Sequence, residues 1–321
     1  DGPRQIDERV SMTVSVCMGI YNGENYIEEQ LESIRLQTKS PEEVILCDDG
    51  STDHTVEIVR RFISEKNLSE HWKLYCNPEK KGYPGNFYYA CSLCTEEVVF
   101  LSDQDDIWAP DKIARMCEVF EKHAQARAVC CKFGLIDAEG NEIRSVMAPT
   151  HSRDTAVCRL VTVEDVFRKC EWPGMVMAYR RDWYEQWSRG ENTIPHDLLI
   201  AARAAEEGGF LQLDCELAFH RRHDHNVGGE EHRIRRLLNK QRKLKEIRDY
   251  LGILNVIERK QILQTEKARK TLRKKTQSMQ DRLSALQSGK IMQVLGNAIR
   301  HKNNTRPATM ICDLLIVKQR V

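Results

Sequence analysis

Apolar residues along the amino-terminal two-thirds of the chain alternate between short solid blocks and spaced, helix-like stripes. Thr13 to Met18 is a block with the length of a buried strand, and after a turn at Tyr21-Asn22-Gly23 the apolar positions Ile27, Leu31 and Ile34 return at helical spacing. Glu43 to Cys47 is a second strand. It runs into Asp48-Asp49-Gly50-Ser51-Thr52-Asp53 and then a helix marked by Val56, Val59, Phe62 and Ile63. The cycle repeats with Trp72 to Cys76, a turn over residues 81–85, a helix from Phe87 to Cys94, and the strand Val98 to Leu101. Strand, helix and strand in regular succession predict an α/β fold with a mostly parallel central sheet flanked by helices.

Further on, 128–136 is predicted as a strand closed by a turn at Asp137 to Gly140, and 145–160 as a less regular, mobile loop. Trp172-Pro173-Gly174 leads a strand reaching Tyr179, and Asp197 to Glu207 forms a helix with an acidic start. Composition changes abruptly after Gly229. From Arg233 onward Leu237, Leu244 and Leu251, with Ile247 and Leu254 between them, mark one face of a long amphipathic helix, and charged helical segments continue to about Arg300. The chain therefore divides into a body over 12–229 and a helical carboxyl-terminal extension over 230–321.

Charge sharpens that division. The net charge of +1 conceals 23 Lys and Arg against 8 Asp and Glu in residues 230–321, and 26 against 40 before them. An acidic body suits cations, and a basic helical extension suits an anionic surface such as a membrane. No aromatic interleaving or recognised motif accompanies the basic charge, so nucleic acid is not an expected partner. No stretch has the length and apolarity of a membrane span. Twelve scattered cysteines, several inside apolar runs, fit buried thiols in a reducing cytoplasm, and the lone Cys91-x-x-Cys94 lacks the second pair that a zinc finger requires.

Two acidic clusters follow predicted parallel strands, where open α/β sheets bind ligands. Asp48-Asp49 precedes a Gly-Ser-Thr turn. Ser51 or Asp53 could serve only as a helix cap there, but capping leaves the Asp pair unexplained. Asp103, Asp105 and Asp106 place three carboxylates within four positions directly after an apolar strand, where their repulsion is relieved by a divalent cation such as Mn²⁺ or Mg²⁺. A nucleotidyltransferase would need a glycine-rich basic loop near the first strand, which Ile20 to Glu24 does not supply.

Taken in order, Val14 to Gly23, Asp48 to Asp53, Gly82 to Asn86, Ser102 to Trp108, Pro173-Gly174, His196-Asp197 and Arg221-Arg222-His223 with Asn226 and Gly228 resemble the family 2 glycosyltransferases of the GT-A fold, and more narrowly their rhamnosyltransferase-like branch. The resemblance implies an inverting, metal-dependent transfer of rhamnose or a related sugar from dTDP-rhamnose or a UDP-sugar to a saccharide acceptor, lipid-linked in bacterial surface polysaccharide assembly. It places Tyr21 and Asp49 at the nucleotide base with Asp48 adjacent, Asn22, Gly82 and Asn86 at the nucleotide sugar, and Asp103 at the ribose or donor sugar. Asp105 becomes the principal metal ligand, with Asp103 and His223 beside it. Arg221 and Arg222 meet the diphosphate, Gly174 leaves room for substrate, and Asp197 is the catalytic base. Two departures stand out: His220 replaces a customary Tyr, and His196 replaces an acidic residue. A peripheral membrane contact through 230–302 and a homodimer complete the expectations; a noncatalytic, membrane-docked carbohydrate-binding protein is the rival.

Overall fold

A computed structural model of the protein describes residues 12–143, 157–169, 172–223, 238–301 and 307–319. Four parallel strands form its centre: β1 (Val14–Ile20), β2 (Glu43–Asp48), β3 (Trp72–Cys76) and β4 (Val98–Ser102), ordered β3-β2-β1-β4. Nearly every residue of β1, β2 and β4 is buried, as expected for strands covered on both faces. The covering helices are α1 (Ile27–Arg35), α2 (Thr55–Glu65) and α3 (Gly85–Leu93).

Beyond β4 the sheet becomes mixed. The dipeptide strand β5 (Ile107–Trp108) and helix α4 (Lys112–Lys122) precede β6 (Ala128–Ile136), and β7 (Cys158–Leu160) precedes helix α5 (Val163–Lys169). β8 (Met177–Arg180) pairs antiparallel with both β4 and β6. It is followed by α6 (Arg181–Ser188), α7 (His196–Glu206) and β9 (Phe210–Arg221), which runs parallel to β6 and pairs with β5 and β7. The loop expectation for 145–160 is thus corrected at its end, where Cys158–Leu160 joins the sheet edge; 144–156 lie outside the described residues. The strand expected from Trp172 also begins later, because Gly174–Val176 forms a 3₁₀ turn ahead of β8.

The extension comprises α8 (Lys240–Arg259), α9 (Glu266–Ser288), α10 (Ile291–Arg300) and α11 (Pro307–Ile316), so helix continues past Arg300. Asn239 and Thr265 cap α8 and α9 by accepting hydrogen bonds from the backbone N–H of Arg242 and Ala268. Leu244, Ile247, Leu251, Leu254 and Ile257 are buried, each contributing about 1.5–3 kcal/mol of apolar transfer. Arg233 and Leu237, expected on the same stripe, lie outside the described residues. α9 packs on α8 and on α5 of the body. Glu206 of α7 accepts from the backbone N–H groups of Gln264 and Thr265, and Lys260 pairs with Glu191 at 2.7 Å.

Candidate active site

An open cleft of about 700 Å³ lies over the carboxyl ends of β1, β2 and β4 and is closed on its far side by the end of β9. Its lining includes Tyr21, Asp49, Lys80, Gly82, Tyr83, Asn86, Asp103, Gln104, Asp105, His220 and Arg222. A parallel sheet forces this convergence, since every strand-to-helix turn leaves on the same side.

The wall beside β1 and β2 is held by its own acids. Asp48 is buried, and its carboxylate accepts from the N–H groups of Gly50 and Ser51 (3.0 and 3.1 Å) and from the Ser51 hydroxyl, shaping the turn. Asp49 reaches across instead, accepting from Lys81 N (2.7 Å), Gly82 N (2.8 Å) and Asn77 Nδ2 (3.0 Å). Burial works to raise its carboxyl, but these donors prevail and hold it below the usual carboxylate range. Asn22 sits in the left-handed region at φ 48°, and its side-chain oxygen accepts from Thr52 N at 2.8 Å, joining the first two turns. Tyr21 stands at the rim with the Lys80 ammonium 4.0 Å from its ring centroid and 2.8 Å from its hydroxyl. Asn86 is buried, donating to Cys47 O and accepting from Asn77.

The turn after β4 carries the acidic cluster. Gln104 clamps it to the end of β1, donating to Tyr21 O and accepting from Tyr21 N, each at 2.9 Å. Asp106 is fully buried and turns away, accepting from His220 Nδ1 (2.9 Å) and Arg221 N (3.1 Å). Asp105 Oδ2 lies 3.0 Å from His223 Nε2, and the His223 ring stacks on Tyr26 with centroids 4.6 Å apart. Burial, and then the charge of Asp106, raises the Asp105 carboxyl against the opposing pull of His223. Asp103 is raised well above its ordinary range by burial and by the charges of Asp106, Asp105 and Asp197. Beneath the turn Lys112 is completely buried, 3.6 Å from the Trp108 ring centroid and donating to Met175 O at 2.5 Å; burial pushes its ammonium down to about 8.

Asp197 lies in the first turn of α7, and its charge acts on both Asp103 and Tyr83. Burial pushes its carboxyl up to about 6. His196, one residue earlier, is buried against Phe87 in a stack of 4.2 Å, and burial pushes its imidazole down to about 3.

The sequence profile described as glycosyl transferase family 2 matches residues 15–185, rather more than half of the chain. The chain belongs to glycosyl transferase family 2. An uncharacterized glycosyltransferase of Nostoc sp. is 30% identical over 177 residues, covering 54% of this chain and 53% of that one. The dTDP-rhamnosyl transferase RfbG of Shigella flexneri is 36% identical over 109 residues, or 32% of this chain and 37% of its own. The chain therefore spans about half or less of these relatives. Among solved structures, Staphylococcus aureus TarS 1–349 in complex with UDP-GlcNAc superposes with a TM-score of 0.60 at 16% identity over 96% of this chain and 91% of that one. The mannosyltransferase PcManGT of Pyrobaculum calidifontis, in complex with GDP-Man and Mn²⁺, gives 0.52 at 21% identity over 96% and 86%. These likenesses show the GT-A fold.

In this family 2 chain the structure gathers Tyr21, Asp49, Gly82, Asn86, Asp103, Asp105 and Arg222 in one cleft, with His223 on Asp105; Asp197 lies behind the lining residues and bears on the cleft through the charge it exerts on Asp103. At four expected positions the structure gives the side chain, or its space, another partner. Asp48 and Asn22 spend their side-chain oxygens on turn backbone. Arg221 is wholly buried: it donates to Asp105 O and Ala138 O, pairs with Glu29 at 2.5 Å, and lies over Tyr26, so its guanidinium is an internal brace and not a diphosphate ligand. Gly174 leaves no room for substrate, because a Cβ there would stand 2.8 Å from His196 Nε2; the glycine admits the imidazole. Asn226 and Gly228 lie outside the described residues. Lys80, Gln104 and Lys112 were not foreseen. Gln104 sits inside the acidic motif and Lys80 beside the glycine turn, which are usable signals, whereas the place of Lys112 exists only in the folded chain.

Proposed function

We propose that the body over residues 12–229 catalyses inverting transfer of a sugar, rhamnose in preference, from a nucleoside diphosphate donor to a saccharide acceptor carried on a lipid during bacterial surface polysaccharide assembly. The observation that carries this reading is the Asp105–His223 pair at the cleft, with Asp197 near enough for its charge to act on Asp103 of the same turn. The acceptor hydroxyl attacks the anomeric carbon as the bond to the diphosphate breaks; its proton passes to Asp197, and the nucleoside diphosphate departs from the opposite face, inverting the centre.

Among the described residues no three His, Cys, Asp or Glu side chains converge as a complete cation site. One carboxylate and one imidazole on a shared edge nonetheless suit a Mn²⁺ or Mg²⁺ ion whose remaining positions belong to donor phosphates, and Asp105 and His223 would hold it, with Asp103 next to them. Such an ion supplies charge stabilisation to the leaving diphosphate. Tyr21 offers an aromatic face to the base, Asp49 a carboxylate, and Lys80 and Arg222 cations to the phosphates. The relative that uses dTDP-rhamnose supports a pyrimidine donor carrying rhamnose; the TarS complex keeps a UDP-hexose as the alternative.

A thermal-shift screen across dTDP-, UDP- and GDP-sugars with and without Mn²⁺ tests the donor, since binding raises apparent stability by mass action. The expected result is a metal-dependent rise with dTDP-rhamnose that exceeds the others. No rise with any nucleotide sugar would discard the assignment, and a rise confined to UDP-sugars would replace rhamnose with a hexose.

A further inference from the structure

We propose that the last two helices of the extension, α10 and α11, form a docking surface for an anionic lipid bilayer, a property independent of the reaction assigned above. The basic charge of the extension places an expected membrane contact anywhere over 230–302, whose most regular apolar feature is the leucine stripe of α8. That stripe is consumed by packing: Leu244, Ile247, Leu251 and Leu254 are buried, so α8 offers no apolar face through them. The exposed apolar side chains of the extension lie elsewhere, at Ile291, Met292, Ile299, Ile311 and Leu315.

These residues form stripes. Met292 and Ile299 lie seven apart on α10, with half-buried Leu295 and exposed Gly296 between them at helical spacing, while Val294 and Ala298 face inward. Ile311 and Leu315 lie four apart on α11, with Ala308 three before Ile311, while Ile316 and Val317 are buried. The two helices pack on one another, so each has an inner apolar face that the fold uses and an outer one left in water. Met292 is 76% exposed and Ile299 73%, which is costly for a helix whose inner positions are already satisfied.

Charge selects the occupant. From Ser288 to Gln319 the chain carries Lys290, Arg300, Lys302, Arg306 and Lys318 against one acid, Asp313. That acid is buried and held by Arg282 through two hydrogen bonds of 2.7 Å, so it contributes no negative charge to the outer face. Exposed Lys290 stands just before α10, and Lys318 continues the α11 stripe. Arg300 lies 3.3 Å from the half-buried Asp281 carboxylate, which it shares with His301, and this leaves Lys290 and Lys318, among the described residues, as the exposed lysines beside the stripes. Apolar stripes bordered by such lysines match the interface of an anionic membrane, where aliphatic side chains enter the acyl boundary and ammonium groups meet phosphates.

The test is vesicle flotation of the full chain with phosphatidylcholine alone and with added phosphatidylglycerol, at low and high salt. Binding is expected only with the anionic lipid and should weaken as salt rises. The quadruple variant Met292→Ser, Ile299→Ser, Ile311→Ser, Leu315→Ser should lose at least ~10-fold in binding. Lys290→Gln with Lys318→Gln should lose roughly 5-fold per lysine while the melting temperature stays put; this exposed pair decides the matter if the quadruple variant melts early. Flotation that is absent, indifferent to lipid charge, or unchanged in the lysine pair overturns the proposal. So does a wild-type dimer in sedimentation velocity that the quadruple variant converts to monomer without loss of flotation, since the stripes would then belong to a second copy.

Discussion

His223 Nε2 meets Asp105 Oδ2 at 3.0 Å although 118 positions separate them, and this contact joins those of Asp106 with His220 and Arg221 in tying the turn after β4 to the end of β9. An imidazole and a carboxylate in this geometry hold each other when no cation is present and can open to share one. Asp105→Asn and His223→Ala are therefore each expected to raise the Mn²⁺ concentration for half-maximal transfer by about 10–100-fold, with little change in melting temperature without metal. Titration of activity against Mn²⁺ checks this; an unaltered metal requirement in both variants removes the pair from the ion.

Asp197 must be ionised to accept the acceptor's proton, and burial holds its carboxyl at about 6. The value of kcat/KM should accordingly rise with pH through about 6 and level off above it. In Asp197→Asn the rate should fall by roughly 10²–10⁴-fold while donor affinity, read by thermal shift, persists. A variant that turns over near the wild-type rate, or a flat profile between pH 5 and pH 7 in the native enzyme, would assign the base elsewhere.

How much of this was visible beforehand follows from the range of each interaction. The strand-end motifs Asp48-Asp49 and Asp103 to Asp106 announce the cleft because a parallel α/β order sends every such turn to one side, and that order is written in local periodicity. The strand Phe210–Arg221 was missed despite its alternation of Leu211, Leu213, Cys215 and Leu217 with Gln212, Asp214 and Glu216. Roles that depend on a distant partner had no local trace. An arginine next to a histidine in a motif reads as a phosphate ligand, and only the fold reveals that Arg221 points inward to Ala138 and Glu29. Gly174 is legible as a place that needs a small residue, but not as the seat of His196.

The buried position of Arg221 makes its loss a stability defect before it is a catalytic one. Its guanidinium satisfies Asp105 O at 3.0 Å and Ala138 O at 2.9 Å, and its ring partner Tyr26 in turn supports His223. Arg221→Ala is expected to cost about 2–3 kcal/mol in chemical denaturation, the range for lost hydrogen bonds from a charged group. Arg222→Ala, at the cleft, should leave stability nearly unchanged and weaken donor binding instead. Equal stability in the two variants would contradict the brace.

His196 and Asp197 are sequence neighbours whose titrations pull stability in opposite directions. Burial pushes His196 from 6.5 down to about 3, so between those values the unfolded chain binds more protons and stability falls as the pH drops. Burial pushes Asp197 from 3.8 up to about 6, so between those values the folded chain binds more protons and stability rises as the pH drops. Each slope approaches at most about 1.4 kcal/mol per pH unit, and between roughly pH 4 and pH 6 the two largely cancel. Replacing either group exposes the other. In Asp197→Asn the stability measured by urea unfolding should fall more steeply than in the native protein as the pH is lowered from 6 to 4. In His196→Asn it should rise over the same interval, or at least stop falling. Parallel pH curves for both variants and the native chain would mean that neither group is desolvated in the way the fold indicates, and the base assigned to Asp197 would lose its tuned carboxyl as well.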